Sequence, residues 1–223
     1  MIPVPAEAGK SIKSAAEENE QNRYEMFVNY DKKSLTNQEF ALIWFEIKRF
    51  KFSGGIFMTY AVIYQSETGN TEEVAHEIFN GLSGKEKSIF NLEEITALPE
   101  ADVYFIGFGI YNNTCSMKVI DCLDGIERGK IALFATCGFT PTARYKDTIE
   151  HGMEVWLPED AEYLGMYLCQ GMVMDEQRAI MKEKLPEAAD KMDQMFKKGT
   201  SHPDEEDLQA AARFAQRIQQ EME

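Results

Sequence analysis

Residues 58–223 predict an α/β fold, a five-stranded parallel sheet with helices on both faces. Three observations carry this expectation. Apolar runs of strand length alternate with helical patterns from Met58 onward, the pattern of parallel crossover units. The third run, Val103–Phe108, is nearly all apolar, as befits a strand covered on both faces. The first run passes through a hydroxyl-rich turn straight into a helical pattern, so that its crossover begins at once.

Taken in order, Tyr60–Tyr64 is the first strand, and Thr71–Leu82 is a helix with Val74, Ile78 and Leu82 on one face. Lys87–Leu92 is a short second strand and Val103–Phe108 the third. Met117–Ile126 reads as a helix, Ile131–Thr136 as the fourth strand, Ala143–Trp156 as a helix and Tyr163–Leu168 as the fifth strand. Asp175–Lys198 is helical with an interruption at Pro186. The final helix has Pro203, Asp204, Glu205 and Glu206 in its first turn, where proline and acids are favoured. Leu208, Ala211, Ala212, Ala215 and Ile218 mark its buried stripe.

Residues 1–57 stand apart from this pattern. Met1–Gln21 is polar and alanine-rich, while Phe40, Ile43, Trp44, Ile47 and Phe50 make Thr36–Phe50 an amphipathic helix. The expected division is an N-terminal extension, 1–57, partly helical or disordered, and a domain, 58–223. The stretch Ser53-Gly54-Gly55 before Met58 is compatible with a ribosome-binding tract ahead of a start codon. On that reading Met58 is the natural start and the extension is not native.

The 223 residues include 44% hydrophobic and 27% charged side chains, a balance that supports a packed core. The formal net charge of −15 is placed unevenly. Residues 1–57 carry eight basic and eight acidic side chains, whereas residues 58–223 carry fifteen basic and thirty acidic. Such a surface disfavours nucleic acid and anionic membrane and suits a basic patch on a partner protein. It equally serves solubility. No run reaches the length of a membrane span and the first residues are not those of a signal peptide, so a cytoplasmic protein is expected. Cys115, Cys122, Cys137 and Cys169 are scattered, as are His76, His151 and His202. Reduced thiols and no metal site are the expectation.

The chemistry concentrates in Ser66-Glu67-Thr68-Gly69-Asn70-Thr71, between the first strand and its helix. Three hydroxyls, an amide and the free N–H groups of a helix N-terminus meet there, which favours an anion. A triphosphate loop needs a lysine that is lacking, and a dinucleotide loop needs three glycines where only Gly69 stands. A single phosphate monoester held by neutral donors remains.

This loop, in its place after the first strand, resembles the [ST]-x-T-G-N-T phosphate loop of the flavodoxin family, and the likeness runs through residues 58–223 to His202-Pro203-Asp204. The resemblance implies a three-layer doubly wound sandwich, strand order 2-1-3-4-5, with flavin mononucleotide (FMN) as cofactor. It places the flavin ring between the loops after the third and fourth strands. Tyr111 would stack on the ring, and Asn112, Asn113 and Thr114 would donate to its oxygens. Thr136, Cys137, Gly138 and Phe139 would line its edge, with Cys137 a wall residue rather than a nucleophile. Cys169-Gln170-Gly171 resembles a loop of small flavodoxin-like proteins from anaerobic gut bacteria, among them an accessory protein of bilirubin reductase. The acidic loop usual after the fourth strand is replaced by Cys137–Tyr145, which contains Arg144.

The implied activity is electron transfer to a partner reductase, with bilirubin or bilin reduction as one case and no catalytic residue in the chain itself. A self-contained FMN-dependent NAD(P)H oxidoreductase and a flavin-free interaction module are the alternatives.

Overall fold

The computed structural model describes residues 58–84 and 86–222. The expectations for Met1–Gln21, Thr36–Phe50 and the extension as a whole lie outside the described residues. The strands are β1 (Tyr60–Tyr64), β2 (Lys87–Asn91), β3 (Val103–Gly109), β4 (Lys130–Cys137) and β5 (Glu162–Gln170). The helices are α1 (Asn70–Gly81), α2 (Met117–Asp124), α3 (Ala143–Glu154), α4 (Asp175–Lys184), α5 (Ala189–Gly199) and α6 (Glu205–Met222). The sheet order is β2-β1-β3-β4-β5, and every pairing is parallel. This is the three-layer doubly wound arrangement, with the carboxyl ends of all five strands along one edge.

Alternation along the strands divides the core in two. On one face Ala61, Ile63, Ile106, Phe108, Leu133 and Ala135 meet Val119, Cys122 and Leu123 of α2 and Ile149 and Met153 of α3. On the other, Val62, Phe105, Ala132 and Phe134 meet Val74 and Ile78 of α1 and Phe214, Ala215 and Ile218 of α6. Each large apolar side chain buried this way contributes about 1.5–3 kcal/mol relative to exposure. β1, β3 and β4 are central and almost wholly buried, whereas every residue of the edge strand β2 is half-buried. Gly107 stands opposite Phe134 across the β3–β4 pair. A Cβ on Gly107 would meet the Phe134 ring at 2.1 Å, so the glycine makes room for that ring.

α1 and α6 pack side by side, and a glycine lets them approach closely. A Cβ on Gly81 would lie 2.7 Å from the Ala212 carbonyl oxygen and 2.9 Å from its Cα. Beside this contact, Gln219 Oε1 accepts from the backbone N–H (2.8 Å) and hydroxyl (2.9 Å) of Ser83, and its Nε2 donates to the Ser83 carbonyl (3.1 Å).

The helix ends show where local chemistry decides. Asp204 Oδ1 accepts from the N–H groups of Glu206 and Asp207, at 3.0 and 3.1 Å, while Asp207 Oδ2 accepts from Asp204 N–H at 3.0 Å. This reciprocal capping places Asp204 ahead of α6, so Pro203 lies before the helix and not in its first turn. In the stretch Asp175–Lys198, Pro186 opens a short 3₁₀ turn, Pro186–Ala188, which separates α4 from α5. Proline lacks the N–H that would continue α4.

Two expected outcomes follow from this packing. Gly81→Ala forces backbone apart at the α1–α6 crossing and lowers stability by about 1–3 kcal/mol, read as a lower midpoint in urea with unchanged slope. The second concerns alkaline pH. Burial pushes the thiols of Cys122 and Cys137 up to about 11 from an ordinary value of about 9, and Tyr64 up to about 12, through burial first and its bond to Glu72 second. Folded chain thus keeps protons that unfolded chain releases. The associated stability is fully present below about pH 9 and is lost as pH rises through 11. Melting temperatures measured at about pH 8 and about pH 10.5 should fall across that interval, and Cys122→Ala should flatten the fall.

Candidate functional site

The loop from Ser66 to Thr71 lies at the carboxyl edge, between β1 and α1. Gly69 precedes α1 in the left-handed region, with φ 85°, and no side chain caps the helix. A Cβ on Gly69 would meet nothing within 4 Å, so the glycine serves backbone geometry alone. The first backbone N–H groups of α1 are therefore available to a ligand. Ser66 supplies the clearest sign of a missing partner, because its Oγ is buried and makes no hydrogen bond. Glu67 is exposed. The carboxylate of Glu72, in the first turn of α1, accepts from the Tyr64 hydroxyl at 2.8 Å.

Asn70 and Thr71 hold the loop as well as belonging to it. Asn70 Nδ2 donates to Thr68 Oγ1 at 2.7 Å and to the Met172 carbonyl at 2.9 Å, which uses both of its N–H bonds. Asn70 therefore faces an anion through its backbone N–H, while Thr68 keeps its own O–H to donate. Thr71 Oγ1 lies 2.9 Å from Thr136 Oγ1 in a buried pair, joining α1 to the end of β4. Gly171, which follows β5, has no room for a side chain, since a Cβ there would lie 2.8 Å from Asn70 Nδ2. The loop is thus bonded to the ends of β4 and β5.

After β3, Tyr111 and Thr114 form a two-residue hairpin, with Tyr111 N–H to Thr114 O at 2.9 Å and Thr114 N–H to Tyr111 O at 3.1 Å. Asn112 and Asn113 between them have φ of 50° and 63°. A turn with both central residues left-handed is the one that asparagine tolerates best after glycine. Tyr111 is 69% exposed and offers a ring face to solvent at the carboxyl edge.

At the end of β4 and just beyond it, the chain is braced from behind. Thr136 and Cys137 are buried, and Cys137 Sγ donates to the Phe139 carbonyl at 3.1 Å. Its thiol, raised by burial to about 11, is neutral at pH 7, so it forms a wall. A Cβ on Gly138 would meet Val173 Cγ2 at 2.4 Å. The Phe139 ring stacks on Phe196 of α5, with centroids 6.3 Å apart and planes at 26°, and the guanidinium of Arg178 lies 5.8 Å from the centroid of Phe196. Thr140 Oγ1 donates to Gln170 Oε1 at 3.0 Å, while the buried Nε2 of Gln170 makes no hydrogen bond. The roles of Phe196, Val173 and Met172 join residues distant in the chain, and no local pattern in the sequence points to them.

Among the described residues one group, His202, Asp204 and Asp207, brings metal-ligating atoms within 4.8 Å of one another. Asp204 and Asp207 are the carboxylates that cap α6, and Asp207 also lies 2.5 Å from His202 Nδ1. Capping accounts for their proximity.

Two substitutions separate loop geometry from loop chemistry. Gly69→Ala imposes left-handed strain and should lower the stability of the ligand-free protein by about 1–2 kcal/mol. Ser66→Ala removes an unsatisfied buried hydroxyl, whose burial costs about 1–3 kcal/mol, so the melting temperature without ligand should stay level or rise.

The flavodoxin domain family model matches residues 61–216. The flavodoxin-like domain-containing protein BilS of Clostridioides difficile (strain CD3) is 31% identical over 166 residues, covering 70% of this chain and 94% of that protein. Its namesake from Clostridium symbiosum (strain WAL-14163) is 27% identical over 180 residues, with the same coverage. Among solved structures, oxidised flavodoxin 1 from Bacillus cereus aligns with a TM-score of 0.49 at 15% identity, over 73% of this chain and 97% of that one. A flavodoxin from the domain Archaea aligns with a TM-score of 0.44 at 14% identity, over 74% and 98%. With its family match, its 31% identical relative and its strand order in agreement, the chain belongs to the flavodoxin family.

Proposed function

We propose that residues 58–223 form a domain that binds FMN and passes electrons to a partner reductase. The observation that carries this reading is the buried, unpartnered hydroxyl of Ser66 beside an uncapped helix N-terminus. Neutral donors and a helix dipole suit a phosphate monoester, and the six loop residues include no lysine or arginine for a longer phosphate chain. When bound, the flavin supplies one- and two-electron transfer chemistry.

The protein's own part is binding and shielding. Ser66, Thr68 and Thr71 hydroxyls and the open N–H groups at the start of α1 would hold the phosphate. Tyr111 offers its face to the ring, with Asn112, Asn113 and Thr114 beside it. Thr136, Cys137, Gly138 and Phe139 close the other side, and the protonated Cys137 thiol adds no charge there. A partner whose basic patch complements the acidic surface would dock at the carboxyl edge, where these residues would hold the flavin. The resemblance in the Cys169–Gly171 loop favours a reductase that acts on bilins. Among the described residues no helix is long and apolar enough to cross a membrane.

Purified protein should be yellow, and heat should release FMN, identified by chromatography. Colourless, folded protein that ignores added FMN sinks the reading, and steady NADPH oxidation by the protein alone favours a self-contained oxidoreductase. Ser66→Ala removes a hydrogen bond to a charged group, worth about 1.5–3 kcal/mol, and should weaken FMN binding by roughly 10- to 100-fold in a fluorescence titration. A redox titration should find the second electron accepted at low potential, because the phosphate and the acidic surroundings disfavour a further negative charge.

A further inference from the structure

A groove of about 330 Å³ lies between α2 and the segment that joins α3 to β5. The direction of the chain places it far from the phosphate loop. α2 begins just after the carboxyl end of β3 and runs toward the start of β4, so Asp121 and Asp124 lie toward the amino edge of the sheet. Val155, Trp156, Pro158 and Glu159 lie between the end of α3 and the start of β5, at that same edge.

The lining joins two features that are rarely left together in water. Val155 is 75% exposed and Trp156 is 42% exposed, although α3 has already ended and neither needs to face outward to complete a helix. Asp121, Asp124 and Glu159 add three carboxylates, and the lining contains no lysine, arginine or histidine. Among the described residues none of these carboxylates forms an ion pair. By contrast Glu93, Glu150 and Glu162, elsewhere on the domain, each have a lysine partner. A partly exposed tryptophan in a concave site is the kind of residue that dominates binding energy at interfaces, and unpaired charges around it select the sign of the partner.

We propose that this groove is a second docking surface, which takes a protein segment presenting a bulky apolar side chain flanked by lysine or arginine. The apolar side chain packs on Val155, Trp156 and Pro158 while the basic groups meet Asp121, Asp124 and Glu159. Charge complementarity decides for this occupant over a second copy of the chain, whose acidic surface would repel, and over an anionic membrane. Because the groove and the phosphate loop occupy opposite edges, a partner held here leaves the carboxyl edge open. The inference does not depend on the flavin reading.

The test uses the full chain and a fluorescein-labelled amphipathic peptide of about 14 residues, built from lysine and leucine with one central phenylalanine. Fluorescence anisotropy at about 50 mM salt, where exposed charges still act, should show saturable one-to-one binding. Trp156→Ala, and separately Asp121→Asn with Asp124→Asn, should each weaken it by at least about tenfold. Glu205→Gln with Glu206→Gln, which removes as much charge from the exposed start of α6, should change it by less than about twofold. Hydrogen exchange should slow in residues 120–124 and 155–159 when peptide is bound.

Equal weakening by the α6 variant would reveal diffuse charge attraction and overturn the proposal. So would failure to saturate, or equal binding of a peptide in which glutamate replaces lysine. Self-association in sedimentation that Trp156→Ala abolishes would assign the groove to a second copy instead. Circular dichroism of each variant checks that it is folded, and the asparagine pair, being isosteric, keeps the test valid should Trp156→Ala prove unstable.

Discussion

Everything at the carboxyl edge depends on one constraint: α1 must begin with its N–H groups open, yet be held in place without using them. Helices ordinarily close their first turn with a side-chain cap, and a cap here would occupy the anion position. The protein anchors the turn sideways instead. Asn70 reaches the Met172 carbonyl and Thr71 meets Thr136, so the ends of β4 and β5 fix the loop while its amides stay free. The left-handed Gly69 lets the chain turn into α1 without a capping side chain.

On the proposed function, that arrangement is also how an acidic protein would offer an anion site. The attraction comes from backbone dipoles and hydroxyls at a helix start, which act over a turn or so and leave the long-range field of the surface unchanged. Of the two carboxylates in the first turn of α1, Glu72 and Glu73, Glu72 accepts a hydrogen bond from the Tyr64 hydroxyl. On the proposed function the local site and the surface would follow separate electrostatic rules, one for a phosphate at contact and the other for partners at a distance.

The strands were legible in the sequence because burial on both faces writes itself as apolar runs. Each was read to within two residues, and β4 and β5 run on to Cys137 and Gln170, where polar residues end the apolar signal although pairing continues. The start of α6 was misread because proline and acids suit a first turn equally well inside or just before it. Only the bonds of Asp204 and Asp207 decide which. In the candidate site, the place of the Ser66–Thr71 loop between β1 and α1 was legible, since hydroxyls, glycine and strand context are all local, and its anion-binding reading belongs to the proposed function. The anchoring of Asn70 to Met172 and the bracing of Phe139 by Phe196 join residues far apart in the chain. No local pattern records such contacts, so they had to come from the fold.

The four cysteines have a practical meaning beyond packing. All of them are buried and free of disulfides, and burial raises each thiol, so at neutral pH the chain has no ready nucleophilic sulfur on its surface. The molecule is in effect a blank sheet for thiol chemistry. One cysteine added at an exposed position gives a single attachment point for a spin label, a dye or a cross-linker, without first removing the native ones.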